Sequence, residues 1–377
     1  MPTYQLIATA TFGLEAVVRR ELEALGLTVL ATENGKVTFE GTENDIARTN
    51  LWLRSADRVL IKFGEFTATT FDELYEQTRN LHWQTIIPQD GKFDVNGKSV
   101  KSTLFSVPDC QRIVKKAIVD KLMFAYKTDL LPETGSDHTV QISLRNDVAT
   151  LTIDTSGDGL HKRGYRVETV EAPLKETLAA GLVQLSYWSK DRVLYDPFCG
   201  SGTIPIEAAM IGRNIAPGLN RDFAAKHWPN VISDATWKQV TKEAYQAIDY
   251  ARNIDIYASD ISHTNLAKAK QNAIEAGVDD CITFHVADFR DLSYHHDYGI
   301  LISNPPYGER LLESGDIERM TKDMTRTFAH LDTWSLYILT SYKPFEQHFK
   351  KADRKRKFYN GRIETWYHQY YGPRPPK

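Results

Sequence analysis

The sequence predicts an α/β fold: a doubly wound domain on a mostly parallel sheet, preceded by a smaller α+β region. Three stretches carry that prediction. Val193, Leu194 and Tyr195 form an apolar strand ending in Asp196, a turn follows through Gly200, Ser201 and Gly202, and helical character begins at Thr203. Strand, acid, glycine turn and helix, in that order, make the first unit of a nucleotide-binding α/β domain. Residues 254–258 read as a second buried strand, closed by Ser259 and Asp260. Residues 300–302 read as the fourth strand and run directly into Asn304-Pro305-Pro306-Tyr307. Asn304 follows Asp196 by 108 positions, which leaves room for strands one to four of a single sheet.

Composition sets the outer bounds. The chain has 377 residues, 42% hydrophobic and 25% charged, enough for two domains with full cores. The net charge of −3 excludes coating nucleic acid by bulk electrostatics, so any such binding depends on local basic patches. Cys110, Cys199 and Cys281 are far apart and lack metal-ligand spacing, so the expectation is a reducing, cytoplasmic setting with no metal. No signal-like segment opens the chain and no apolar run reaches about 18 residues, so no membrane span is expected.

Taken in order, residues 4–10 read as a strand, and Gly13 opens a helix with Leu14, Val17, Val18, Leu22 and Leu25 at helical spacing. Strands over 29–32 and 36–40 flank Asn34-Gly35, a strong hairpin signal. A helix over 45–53 and a strand over 59–66 complete a β-α-β-β-α-β, ferredoxin-like order. After a helix over 71–82 and a strand from 92, residues 106–121 form an amphipathic helix. Asp109 is its expected N-cap, and Ile113, Ala117, Ile118 and Leu122 its buried stripe. Arg112, Lys115, Lys116 and Lys121 take the other positions, which on their own read as a solvated face. Strands over 139–144 and 150–155 lead to a glycine- and cation-rich junction at 156–166. That junction is either a flexible linker or the place where Arg163 and Arg166 face a substrate.

In the second half, a helix is expected over 171–180 with Pro173 in its first turn, and another over 204–211. Residues 213–252 insert before the second strand, with Arg221, Phe223, Trp228 and a long helix over 235–251. The insert reads as packing or as a nucleic-acid contact. Leu266, Ala269 and Ala273 mark a helix after Asp260; residues 282–286 are the third strand, ending at Asp288-Phe289. A fifth strand covers 334–340, and a hairpin over 354–359 and 363–371 turns at Asn360-Gly361. Lys350, Lys351, Arg354, Lys355, Arg356 and Lys357 precede it, a solvated run or a phosphate track.

These motifs carry a resemblance. An apolar strand ending in N-P-P-Y, with D-P-F-C-G-S-G-T upstream, resembles S-adenosylmethionine-dependent methyltransferases that act on planar amino groups. The basic helix at Ser106-Val107-Pro108 and its strand-rich tail resemble a THUMP domain, an RNA-binding module. The run from His161 to Arg166, the segment Ala172 to Gly181 and the extended N-P-P-Y-G-E-R-L are similar to bacterial THUMP-containing guanine-N2 RNA methyltransferases. The resemblance spans essentially the full chain. It implies a ferredoxin-like start (1–54), a THUMP-like region (55–160) and a Rossmann-like methyltransferase domain (161–377) on a seven-stranded sheet closed by an antiparallel hairpin. It also implies S-adenosylmethionine as cofactor, touched by Asp196, Phe198, Gly200, Ser201, Gly202, Thr203, Asp260, Ile261, Asp288, Phe289, Asn304 and Thr177. Asp260 would accept the ribose hydroxyls; read from the residues alone, a buried acid at a strand end could instead cap the next helix. Asp288 would accept from the adenine amine with Phe289 against the ring. RNA would meet Arg112, Lys115, Lys116, Lys121, Arg163 and Arg166.

The residue types suit amine methylation. An exocyclic amine is a weak nucleophile because its lone pair is delocalised into the ring, so positioning supplies much of the rate. The Asn304 side-chain oxygen and the Pro305 carbonyl can accept the two N–H bonds, turning the lone pair toward the methyl. Pro305 and Pro306 hold that backbone rigid, and Tyr307 offers a stacking face for an extruded base. Cys199, inside the glycine turn, reads as a packing residue. The expected activity is guanine-N2 methylation of RNA, 23S rRNA first, by a monomer. A tRNA guanine-N2 enzyme is the near rival, and DNA adenine-N6 or protein glutamine methylation the further ones. A non-catalytic RNA-binding scaffold is a reading from another class.

Overall fold

The computed structural model describes residues 3–168, 173–251, 253–306, 314–361 and 363–376. The chain divides into two compact units whose membership is not contiguous: one holds Met1–Thr9, Arg19–Leu160 and Asp222–Glu243, the other Ala10–Val18, His161–Arg221 and Ala244–Lys377.

The first unit is built from β1 (Tyr4–Ala10), α1 (Glu15–Ala24), β2 (Val29–Glu33), β3 (Lys36–Gly41), α2 (Glu43–Trp52), β4 (Ala56–Thr67), α3 (Phe71–Asn80), β5 (Lys92–Val100), α4 (Val107–Tyr126), β6 (Asp137–Arg145) and β7 (Val148–Asp154). These strands form one sheet in the order β2-β3-β1-β4-β7-β6-β5. β4 is 12 residues long and pairs with β7 from Leu60 to Thr67, so the ferredoxin-like strands and the strands after them share one sheet. Local chemistry starts the helices. Thr42 with Asp45, and Thr70 with Glu73, make reciprocal capping boxes at α2 and α3. Ser106, not Asp109, is the N-cap of α4; Pro108 occupies the first turn, where its missing N–H costs nothing, and Asp109 accepts from the Ser106 hydroxyl. The buried stripe of α4 is Cys110, Val114, Ala117, Ile118 and Leu122, with Ile113 only half-buried.

Of the two readings of the insert, packing is the one the structure supports. Trp228 is fully buried, stacked on His138 at 4.6 Å between centroids, and its indole N–H donates to the Asp137 carbonyl at 3.0 Å. Phe223 stacks on Trp237, and Asn230 donates to the Ile86 carbonyl at 2.9 Å. These aromatic rings are packing, closed to any nucleotide. Arg221 donates to the Lys162 carbonyl at 3.1 Å. The helix α7 (Asp234–Gln246) stops short of the expected residue 251.

The second unit continues with α5 (Glu176–Gln184), β8 (Leu194–Asp196), α6 (Thr203–Gly212), β9 (Ile256–Asp260), α8 (His263–Glu275), β10 (Ile282–Val286), β11 (Ile300–Ser303), α9 (Ser314–Phe328), β12 (Ser335–Thr340), α10 (Phe345–His348), β13 (Arg354–Asn360) and β14 (Ile363–Tyr370). Pro173 therefore precedes the helix α5 and its N-cap Lys175 rather than lying in its first turn. The sheet order is β10-β9-β8-β11-β12-β14-β13, parallel from β10 to β12 and closed by the antiparallel β14–β13 hairpin. The central strands β8, β11 and β12 are buried on both faces, and their side chains alternate between them. Ile300, Ile302, Tyr337 and Leu339 join one core with α5, α6 and α8; Leu301, Leu336 and Ile338 join the other with α9. Leu14, just before α1, and Val17, in its first turn, belong to the first of these cores. A Cβ on Gly181 would lie 2.5 Å from Leu14 Cδ2, so the glycine in α5 is what admits that leucine.

Candidate active site

The strand order reverses between β8 and β11, and the carboxyl ends of those two strands define the crevice where open α/β sheets bind ligands. Asp196 ends β8 and Asn304 follows β11. Asp196 is 2% exposed; its carboxylate accepts from Ser303 Oγ at 2.7 Å and from the Phe198 N–H at 3.2 Å. Burial, with the nearby charge of Asp260, pushes its carboxyl up to about 7 in spite of those two bonds.

The glycine turn is held from three sides. Gly200 has φ +55° and Gly202 +82°, conformations that glycine adopts without a Cβ penalty. A Cβ on Gly202 would meet the Ala269 Cβ at 3.0 Å, so the turn sits directly on α8. Around Gly200 a Cβ would meet nothing within 4 Å, leaving backbone open to a ligand. Asp260 ties the turn to the end of β9: its Oδ2 accepts from the Gly200 N–H at 3.0 Å and its Oδ1 from the Ser262 N–H at 2.8 Å. The N-cap of α8 is Ser262, which accepts from the Asn265 N–H. The carboxylate therefore organises the loop while staying part-exposed, and Ile261 beside it is 70% exposed.

At the end of β10, Asp288 is chelated by Arg290, whose Nε donates at 2.8 Å and whose backbone N–H donates at 2.9 Å to the same oxygen. Arg290 holds the Asp288 carboxyl below the usual carboxylate range and reaches Asp323 of α9 at 3.2 Å. Phe289 is buried against Phe198, 4.8 Å between centroids. Burial drives the Cys199 thiol well above its ordinary value, which suits packing and not nucleophilic attack.

Asn304 is half-buried, and its Oδ1 is buried without a hydrogen-bond partner among the described residues. An unpaired buried acceptor is costly, and such groups in native proteins are seldom without a purpose. Pro305 is buried and Pro306 half-buried. Tyr307, and the Gly308–Leu311 extension, lie outside the described residues.

Three expected contacts are corrected. Arg163 does not face a substrate: it is 2% exposed and paired with Glu207 of α6 at 3.3 Å, where Tyr165 also donates. Glu207 of α6 supplies the carboxylate that compensates this buried guanidinium. Arg166 is turned inward as well. It donates to Glu176 at 2.6 Å, to Ser201 Oγ at 3.0 Å, to Thr203 Oγ1 at 2.9 Å and to the Leu174 carbonyl. It braces the glycine turn against α5 and occupies the Ser201 and Thr203 hydroxyls. Thr177 is fully buried within α5 and presents no surface to a ligand in this conformation.

Asn272, unremarked in the sequence, does similar work. Its Nδ2 donates to the Ser201 and Glu168 carbonyls, and its Oδ1 accepts from the Val167 and Glu168 N–H groups. The signal was available, since an asparagine three residues after Ala269 stands on the buried stripe of α8. Ser303 carried one too, as the polar end of an apolar strand. In the first unit, Arg112 and Lys116 are exposed on α4, while Lys115 and Lys121 are half-buried. Lys115 lies over the Phe93 ring at 5.5 Å, Lys116 over Tyr75 at 5.8 Å, and Arg112 pairs with Asp109 at 3.0 Å.

Family models match along the chain: an RlmL ferredoxin-like domain at residues 5–60, a THUMP domain at 68–154, and an RMKL-like methyltransferase domain at 163–369. The chain belongs to the THUMP-bearing RMKL-like methyltransferases. A Bacillus subtilis (strain 168) member named "Putative RNA methyltransferase YpsC" is 51% identical over 380 residues, covering 100% of this chain and 98% of that protein. The crystal structure of SMU.472, "a putative methyltransferase complexed with SAH", matches with a TM-score of 0.94 and 46% identity over the whole of both chains. A Listeria monocytogenes structure, of a "predicted N6-adenine-specific DNA methylase", matches with a TM-score of 0.94 and 50% identity over 99% of this chain and 97% of that one. Among the described residues of this RMKL-like methyltransferase, no group of three or more His, Cys, Asp or Glu side chains is placed to hold a metal, and no helix is long and apolar enough to cross a membrane.

Proposed function

We propose that this methyltransferase transfers a methyl group from S-adenosylmethionine to the exocyclic N2 amine of a guanine in RNA, with 23S rRNA as the substrate. The observation that carries the reading is Asn304 Oδ1, a buried acceptor with no partner among the described residues, next to the rigid Pro305 carbonyl. Two acceptors on one short segment match the two N–H bonds of an amine. Holding both turns the nitrogen lone pair out of conjugation and toward the crevice.

The residues fit the cofactor. Asp260 keeps lone pairs for ribose hydroxyls beyond its two backbone bonds, and exposed Ile261 offers an apolar face. Asp288 shares its oxygens with Arg290 and can still accept from an adenine amine. The open backbone at Gly200 and buried Asp196 suit the cationic, amino-acid end, whose charge compensates a carboxylate that burial alone leaves near neutral pH. When bound, S-adenosylmethionine supplies a methyl on positively charged sulfur, so the protein needs no metal or covalent nucleophile of its own. Its own contribution is to position the amine, hold its protons and keep Asp196 dry.

The THUMP domain and the RNA methyltransferase name of the B. subtilis relative support RNA over DNA as the polymer. Exposed Arg112 and Lys116 on α4 would place phosphates without reading sequence. Nucleoside mass spectrometry of ribosomal and transfer RNA, with and without the gene, tests the reading. Loss of N2-methylguanosine from the large-subunit RNA supports it. Loss from tRNA moves the substrate, and no change in any RNA nucleoside overturns it in favour of DNA or protein.

A further inference from the structure

The terminal hairpin carries a surface that methyl transfer does not explain. Side chains alternate along β13, so Phe358 turns into the core with Tyr367, while Lys355, Lys357 and Tyr359 stand on the other face. The register places Trp366 opposite Lys357 and Glu364 opposite Tyr359, on that same face. Lys355 Nζ lies 5.0 Å and Lys357 Nζ 5.9 Å from the Trp366 ring centre, and Lys357 lies 5.3 Å from that of Tyr359. Tyr359 is 38% exposed and meets Phe12, itself 46% exposed, edge to face at 6.3 Å. Residues 350–357 hold six cations and one acid, Asp353, in a chain whose net charge is −3.

The register also says where this surface lies. Ser303, one residue before Asn304, pairs with Ile338 on β12; two residues further along β12, Thr340 pairs with Trp366. Trp366 is therefore level with Pro305, in the middle of the Asn304-Pro305-Pro306 segment. It stands two strands to the side, about 10 Å at ordinary strand spacing. From there the hairpin runs on past the carboxyl end of the sheet to the turn at Gly361.

We infer that this face binds a single-stranded RNA segment flanking the methylated nucleotide, with bases stacked on Trp366 and Tyr359 and phosphates on Lys355 and Lys357. Aromatic faces interleaved with cations are how sequence-tolerant single-strand sites are made, because every base has a face to stack. Duplex RNA offers no such faces from within its stack. Lysines on an edge strand also deter edge-to-edge pairing, but that role leaves the half-buried Trp366 and the exposed Tyr359 on this face unexplained. The ion pairs of Lys355 with Glu346 and Lys357 with Glu364 are part-exposed, and such pairs contribute little in water, so they set only a small cost on a phosphate contact. The inference rests on RNA as substrate, not on guanine or its N2 position.

The test is binding of a fluorescein-labelled, unstructured RNA 12-mer to the full chain, followed by anisotropy across a salt series. Trp366→Ala should weaken binding about tenfold, and Trp366→Phe should restore most of it. The double variant Lys355→Ala/Lys357→Ala should reduce the salt slope by about 1.4, the value for two phosphates on a single strand. S-adenosylmethionine affinity, measured by calorimetry, should stay unchanged in all three, which separates a lost RNA site from a damaged fold. Wild-type RNA affinity and salt slope in both Trp366→Ala and the double variant would overturn the inference. If wild type binds neither this RNA nor a duplex control, the reading of RNA as substrate falls with it; duplex binding alone sinks only the hairpin site.

Discussion

Ser303 Oγ donates to Asp196 Oδ1 at 2.7 Å, across the junction of β11 and β8. One bond thereby links the acid expected at the cofactor to the residue that immediately precedes Asn304. Both groups are buried, at 0% and 2% exposed, so neither has water as an alternative partner. Ser303→Ala should lower unfolding free energy by about 1–3 kcal/mol, the cost of taking a bond from a buried polar group. It should also shift Asn304. Urea unfolding with single-turnover methylation checks this, and unchanged stability would mean that the bond contributes nothing net.

Burial raises the Asp196 carboxyl from its ordinary 3.8 to about 7. Between those values the folded, ligand-free protein holds a proton that the unfolded chain has released. Stability from this group is therefore complete below about pH 4 and is lost as pH rises through about 7. A cationic ligand favours the ionised form, so S-adenosylmethionine affinity should climb with pH over the same window. Asp196→Asn should flatten both profiles. Scanning calorimetry and titration from pH 5 to 9 measure them; a wild-type affinity independent of pH would refute the coupling.

Asn304→Ala should reduce methyl transfer by at least 100-fold while cofactor affinity stays within about twofold, because the proposed role of its oxygen, which has no partner among the described residues, is to accept from the amine. Asp260→Ala should do the reverse, weakening cofactor binding first through loss of its bonds to Gly200 and Ser262. Calorimetry paired with a transfer assay separates them. Full turnover by Asn304→Ala would remove the positioning role.

Arg166 distinguishes a brace from an RNA contact. Arg166→Ala strands the buried Glu176 carboxylate and frees the Ser201 and Thr203 hydroxyls, so a loss of about 3–5 kcal/mol is expected. Arg166→Lys should rescue little, since one ammonium cannot span four acceptors. The salt slope of RNA binding should not move in the lysine variant. A stable Arg166→Ala protein with a reduced slope would return this residue to the RNA surface.

Much of this molecule follows from local pattern. The glycine turn after Asp196, the strand running into Asn304-Pro305-Pro306 and both Asn-Gly hairpins are signals a few residues long, and the backbone obeys them where they stand. Strand periodicity was equally plain, since Leu301 and its neighbours must alternate between two cores. The motifs that mark a methyltransferase are of this kind. So are the acids that close β8 and β9, whose place at strand ends follows from chain direction alone.

What only the tertiary structure decided is which charged and aromatic side chains are spent on packing. Arg163, Arg166, Phe223 and Trp228 have the composition of an RNA surface, yet Glu207, Glu176, Trp237 and His138 meet them inside the fold. Their partners lie at sequence separations of 10 to 90 residues, beyond the reach of any helical or strand period. The exchange of Ala10–Val18 and Asp222–Glu243 between the two units was hidden for the same reason. Sequence states that a side chain is charged or flat; only long-range packing determines whether solvent, ligand or another residue meets it.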